Sequence, residues 1–244
     1  ENEFTDGFRG IMLIESPANL LQDNRFQNVT WSLYVESQTK EGFNNSIDES
    51  NVVDLVPIAY LFNQSGMQIR DKQLAHLTMA YCKNMAVDNI TITRDAVFLF
   101  DSMNNSIINS NISECFGMRL INSSGNDILG NLFNGNGYSG LFLYSSDGNR
   151  IEKNVASENE QNGLSLLSCN QNIIRDNSVQ KNLVTGIWLN LSNDNQIYEN
   201  NITANSLGCQ LSFSTGNTIY HNNFIDNIEH SIDTEGSNSW DAGN

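Results

Sequence analysis

The sequence predicts an all-β fold: a single-stranded, right-handed parallel β-helix of about ten coils, running as one domain over residues 1–244. Three observations lead there. A short motif recurs along the chain at a nearly constant spacing, its apolar residues pair two positions apart, and asparagine returns at a fixed place in each repeat.

The motif is G-[IL]-x-L-x-x-S-x-x-N-x-I-x-x-N-x-[IVF], opening at Gly117, Gly140, Gly163, Gly186 and Gly208. Its first asparagine falls at Asn105, Asn126, Asn149, Asn172, Asn195 and Asn217, so that one such residue belongs to each coil. Near the start, Gly10, Ile11, Leu13, Ser16, Asn19, Leu21, Asn24 and Phe26 fit it fully. Ala96, Val97, Leu99, Ser102 and Asn105 fit with alanine for glycine, and His76, Leu77, Met79, Cys82 and Val87 fit with substitutions. The match fades between residues 30 and 74. There Trp31 and Leu33 start a coil, Asn45 and Ile47 continue it after a longer turn, and Ile58, Tyr60 and Phe62 alternate as a strand. An irregular stretch or insertion is expected at about 36–72.

Apolar residues two apart have strand periodicity, so both face one side. Three such pairs make three short strands per coil, with Gly, Asn, Asp and Ser at the bends. One coil cannot bury its own apolar face. Coils stacked at about 4.8 Å share one interior, with Ile107, Ile128, Ile151, Ile174, Ile197 and Ile219 in a column. Asn105, Asn126, Asn149, Asn172, Asn195 and Asn217 are expected to be a structural ladder, each amide bonded to those above and below.

Composition narrows function. The net charge is −16, with 28 acidic against 12 basic residues. Phosphate binding needs lysine and arginine, so nucleic acid and anionic membrane surfaces are poor partners. No run of about 18 apolar residues spans a membrane. The chain opens at Glu1 with no signal peptide, and Asn2 and Phe4 look like the end of a repeat. It therefore reads as a piece of a longer extracellular or cell-surface protein whose signal and anchor lie outside it. Nine Asn-x-Ser/Thr sequons, among them those at Asn28, Asn89 and Asn201, are weak support for export in so Asn-rich a chain.

The repeat resembles the right-handed β-helix family of the NosD-like, periplasmic copper-binding type and of archaeal and bacterial cell-surface proteins. The stretch Asn45 to Asn51 followed by Pro57, Ile58 and Tyr60, and the ending from Asn223 to Asn227 and from Asn238 to Asp241, look like elements of archaeal surface members. The resemblance covers nearly the whole chain. It specifies fold far better than function, because the same scaffold carries lyases, hydrolases, epimerases and inert stalks.

The family name implies copper, which favours clustered His, Met or Cys. The three histidines, His76, His221 and His230, fall at different places around the coil, and Met12, Met79 and Met118 fall at strand positions that pack. No copper site is expected. Cys82 and Cys169 take the ladder-serine position four coils apart, about 19 Å, and Cys115 and Cys209 are as far from each other. Four free, buried thiols are expected, which mildly favours a reducing or anaerobic source. No cofactor is expected; a structural or substrate-bridging calcium would need clustered carboxylates, and no such motif occurs. Asp101, Asp147, Asp176 and Asp194 read as solvated turn residues.

The two x positions of G-[IL]-x-L-x point outward. Along the stack they place Phe98, Phe100, Arg119, Phe142, Tyr144 and Trp188 on one outer face. Aromatic rings stack on sugars, and Arg119 can bond a uronate, so these six are the candidate carbohydrate-binding residues. Alternatively, the strip packs against the 36–72 segment, another domain or a second subunit. Ser165, between Phe142 and Trp188, reads as a gap for a sugar. The preferred reading is a non-catalytic module that binds or presents carbohydrate. The second is a fragment of a polysaccharide hydrolase or lyase. The third is an accessory protein for metal delivery, on the family name alone.

Overall fold

The computed structural model describes residues 1–234 and 236–241. It is the expected right-handed parallel β-helix, with about 11 turns. Among the described residues there is no α-helix, and the one helical element is a 3-10 turn, Glu41–Phe43. None of the described residues forms a helix long and apolar enough to cross a membrane. From Val56 to Ile225 each coil contributes a strand to three sheets, and the last coil contributes to the first and third. The first runs from Val56–Phe62 through His76–Ala80, Val97–Phe100, Met118–Ile121, Leu141–Tyr144, Leu164–Leu167, Thr185–Asn190 and Leu207–Ser212 to Glu229–Asp233. The second starts at Gln73–Leu74 and the third at Gln68–Arg70.

The register is the one the repeat predicts. Val87, Ile107, Ile128, Ile151, Ile174, Ile197 and Ile219 pair in sequence across the third sheet, and all are at most 2% exposed. The ladder is built as expected. Each asparagine side-chain oxygen accepts both the backbone and the side-chain N–H of the coil before: Asn126 N and Nδ2 reach Asn149 Oδ1 at 2.8 and 3.1 Å, and Asn149 reaches Asn172 likewise. A second ladder follows the motif's later asparagine, Asn131 to Asn154 to Asn177 to Asn200. A third, Asn136 to Asn159 to Asn182 to Asn205 to Asn227, closes the remaining corner. The motif stops short of that corner, so sequence reading did not single it out. Serines make a further file: Ser102 N donates to Ser123 Oγ, Ser123 N to Ser146 Oγ, and Ser146 N to the Cys169 sulfur. All four cysteines are free and buried, as expected.

Glycine opens each regular coil for a steric reason. A Cβ at Gly163 would lie 2.5 Å from Val179 Cγ1 and 2.8 Å from the Gly186 carbonyl, inside any real contact distance.

The irregular region does something periodicity does not foretell. The strands Glu3–Thr5, Arg25–Gln27 and Val52–Val53 stack as parallel coils of the same repeat. The chain then turns at Asp54 and Leu55, both at positive φ, and Val56–Phe62 pairs antiparallel to Val52–Val53. The first sheet thus continues unbroken across 12 strands while strand direction reverses once. A coil that keeps its right-handed crossover after such a reversal must return on the opposite face of the sheet. The N-terminal coils therefore enclose the face that is outermost for the rest of the solenoid.

Two cores result. One fills the main solenoid and takes Ala59 and partly Leu61 from the first strand after the reversal. The other lies under the N-terminal coils and joins Phe26, Leu33, Val35, Phe43 and Val53 to Ile58, Tyr60, Phe98 and Phe100. Ile58, Tyr60 and Phe62 do alternate as a strand, but Ile58 and Tyr60 sit in this second core and Phe62 packs against it.

Candidate functional site

The outer face of the first sheet carries two side-chain columns. One pairs Tyr60, Thr78, Phe98, Arg119, Phe142, Ser165, Trp188 and Gln210, and the other Phe62, Ala80, Phe100, Ile121, Tyr144, Leu167, Asn190 and Ser212. The six candidate residues therefore share one face, but not one environment.

Phe98 and Phe100 are 2% and 3% exposed. The strand Trp31–Glu36 and the Glu41–Phe43 turn lie over them: Tyr34 meets Phe98 edge-on at 5.5 Å, and Phe43 meets Phe100 at 5.0 Å. These two rings are corrected from an open surface to the interior of the second core, because the N-terminal coils return across them. Of the covers weighed from the sequence, the 36–72 segment supplies Phe43 of the 3-10 turn; the strand Trp31–Glu36, which supplies Tyr34, lies before it and was not among them. Four candidates lie beyond the edge of the N-terminal coils. Arg119, Phe142 and Trp188 are half-buried and Tyr144 is 43% exposed. The Ser165 gap is also corrected: its hydroxyl is enclosed, 3.0 Å from Ser139 Oγ and accepting from Asn162 Nδ2 at 2.9 Å.

Arg119 stands at the boundary between covered and open face. Its guanidinium lies over the rings of Tyr138 at 5.2 Å and Phe142 at 5.4 Å. Burial lowers its pKa from the ordinary value, opposed by the hydroxyls of Tyr34 and Tyr138. Tyr34 faces it from the N-terminal coils. Burial pushes the Tyr34 hydroxyl up to about 12, Glu36 adds to the rise, and Arg119 and Arg9 oppose it. Trp31, half-buried in the same wall, stacks edge-on against Phe116 at 4.5 Å, and its indole N–H is buried without a partner. Trp31 and Tyr34 lie far upstream of the open face in the chain, and no local motif announces the wall they form.

The wall is pinned by a buried polar cluster that sequence reading missed. Asp95 Oδ2 accepts from the backbone N–H of Ser32 at 3.1 Å and of Leu33 at 3.2 Å, and from Ser32 Oγ at 2.5 Å. His76 Nδ1 lies 3.1 Å from the same oxygen, and its Nε2 lies 2.6 Å from Thr78 Oγ1. His76, Thr78, Asp95 and Ser32 are all 2% exposed or less, so the set locks the N-terminal coils to the solenoid and is closed to any substrate.

Coil spacing, ladders and register define a parallel β-helix repeat protein. The family described as "Periplasmic copper-binding protein (NosD)" matches residues 43–244, and the chain belongs to that family. No curated protein matches it. Among solved structures, the periplasmic alginate epimerase AlgG superposes with a TM-score of 0.58 at 16% identity, over 98% of this chain and 66% of that one. Its T265N mutant gives the same score and identity, over 96% and 64%. The Azotobacter vinelandii mannuronan C-5 epimerase AlgE6 A-module gives 0.49 at 13% identity, over 95% and 74%. The chain thus spans just under two thirds of the AlgG chains, and at these identities the likeness is one of fold.

The donors present do not fit the copper of the family's description. Both His76 ring nitrogens are engaged inside the fold. His221 and His230 are exposed, the first at a turn and the second on the strand Glu229–Asp233. The four thiols are buried and none is paired. Met79 and Met118 pack in the main core. Among the described residues no three His, Cys, Asp or Glu side chains gather into a metal-holding group.

Proposed function

We propose that this chain is a non-catalytic β-helix module, working outside the cytoplasm or at the cell surface, that binds or presents carbohydrate. The binding surface is the open part of the outer face: Arg119, Phe142, Tyr144 and Trp188. The observation that carries the reading is that aromatic side chains continue past the edge of the N-terminal coils, where Phe142 and Trp188 are only half-buried and Tyr144 is exposed. Phe98 and Phe100 have a packing role; Tyr144 does not, and Arg119 is sandwiched rather than paired. Rings spaced along a rigid sheet suit the flat faces of sugars in an extended chain, since Phe142 and Trp188 are two coils apart, about 9.6 Å. The AlgG likeness supports the reading only in that another β-helix of this architecture belongs to an alginate epimerase.

A glycan-array screen followed by the double change Phe142→Ala with Trp188→Ala tests it. Lost glycan retention at an unchanged sedimentation coefficient is the expected result. A dimer falling to monomer would instead make the strip an assembly surface, and retention unaffected by the change would refute the assignment.

A further inference from the structure

The outer face of the first sheet is asymmetric along the solenoid. At one end the N-terminal coils lie across its whole width. Tyr34 meets Phe98 at 5.5 Å in one column, and Phe43 meets Phe100 at 5.0 Å in the other. At the corner leading into the sheet, Trp31 meets Phe116 at 4.5 Å. At the corner leading out of it, Phe43 meets Tyr81 at 5.9 Å, and Lys40 lies over the same ring at 5.6 Å. Toward the other end the columns run on through Trp188 and Asn190 to Gln210 and Ser212, all half-buried.

The edge of this cover is a step. Packed sheets stand about 10 Å apart, so the strand Trp31–Glu36 rises by about that much above the floor. Contacts in series seal its foot: Trp31 on Phe116, Phe116 on Tyr138 at 5.2 Å, and Arg119 over Tyr138 at 5.2 Å and over Phe142 at 5.4 Å. Asp95 holds the step in place through the N–H groups of Ser32 and Leu33 at 3.1 and 3.2 Å. A glycan lying on Phe142 and Trp188 follows the columns, and the columns follow the solenoid axis. Continued past Phe142, it would run into Tyr34 and Trp31.

We infer that the open face takes a chain terminus: the last sugar of a linear glycan lies on Phe142 against the step, and the chain leaves toward Gln210. The inference rests on the carbohydrate reading above and adds which part of the glycan is bound. A face open at both ends accepts any internal segment of a chain. A step at one end reduces this to one position per chain, so Trp31, Tyr34 and Tyr138 set specificity for the terminus by exclusion.

The test is titration calorimetry with xylan, mannan, polygalacturonate and alginate, each as a hexamer and as the linear polymer. For at least one of them, one protein is expected to bind per chain at both lengths, with the same affinity per chain. Methylating the non-reducing terminal hydroxyl, or reducing the opposite end to the alditol, should separate the two termini. One change should weaken the hexamer by about tenfold or more, as loss of a well-fitted contact implies, and the other should leave it unchanged. A diazirine on the insensitive terminus should crosslink to Trp188, Gln210 or Ile232. Bound protein rising with chain length, indifference to both terminal changes, or crosslinks to Trp31 or Tyr34 overturns the end-stop while the carbohydrate face stands. Binding of none of the four glycans also overturns the end-stop, and with a blank glycan array it overturns the carbohydrate face as well.

Discussion

Replacing Asn172 by leucine removes one rung from the middle of the first ladder. Asn172 Oδ1 accepts from Asn149 N at 2.8 Å and from Asn149 Nδ2 at 3.1 Å. Both donors are buried, Asn149 being 1% exposed. The next rung suffers less, because Asn195 Oδ1 keeps the backbone N–H of residue 172. Two buried donors without an acceptor cost roughly 1–3 kcal/mol each, so about 3 kcal/mol is expected after local relaxation. At this chain length that corresponds to a melting temperature lower by ~6–12 °C. Asn19 is the control. It begins its ladder, donating to Asn45 Oδ1 at 2.9 Å, and Asn45 Oδ1 keeps the Asn19 backbone N–H. Asn19→Leu should therefore cost about 1 kcal/mol or less. Urea and thermal unfolding of both variants check the pair. Equal losses at the two positions, or a loss at Asn172 below about 1 kcal/mol, would refute a ladder whose worth lies in buried donors.

Asp95→Ala should strand the N–H groups of Ser32 and Leu33 and one nitrogen of His76; a loss of about 3 kcal/mol or more is expected, with early proteolysis of the N-terminal coils and faster hydrogen exchange at Leu33. Gly163→Ala should cost about 3 kcal/mol through overpacking. Gly148→Ala, at φ +62° with nothing within 4 Å of the new Cβ, should cost only the ~1–2 kcal/mol of a left-handed backbone; thermal unfolding of the two glycine variants checks the contrast. Thiol titration should find four groups in denaturant and almost none in the folded protein. Burial pushes Cys115 and Cys209 up to about 12 from an ordinary 9.0. Above pH 9.0 the unfolded chain releases protons that the folded chain keeps, so their contribution is intact below pH 9.0 and is lost as pH rises toward 12, measurable as falling stability over that window.

The repeat alone determined the main solenoid. Strand periodicity, coil length, the isoleucine column, the first two ladders and the isolation of the cysteines all depend on neighbours one coil away, at a nearly constant separation along the chain. Such contacts are written as a period, and so the register of the outer columns was legible down to Arg119, Phe142 and Trp188. The third ladder was less so, because its corner lies past the end of the motif. What only the tertiary structure decided is which side of a sheet is outside. The single reversal at Asp54 and Leu55 carries no periodic signal, yet it sends the N-terminal coils across the outer face. It turns Phe98 and Phe100 into core, brings Tyr34 against Phe98, one coil from Arg119, and leaves Tyr144 in solvent. Alternation tells which residues share a face of a strand; only the path of distant chain tells whether that face meets water or protein.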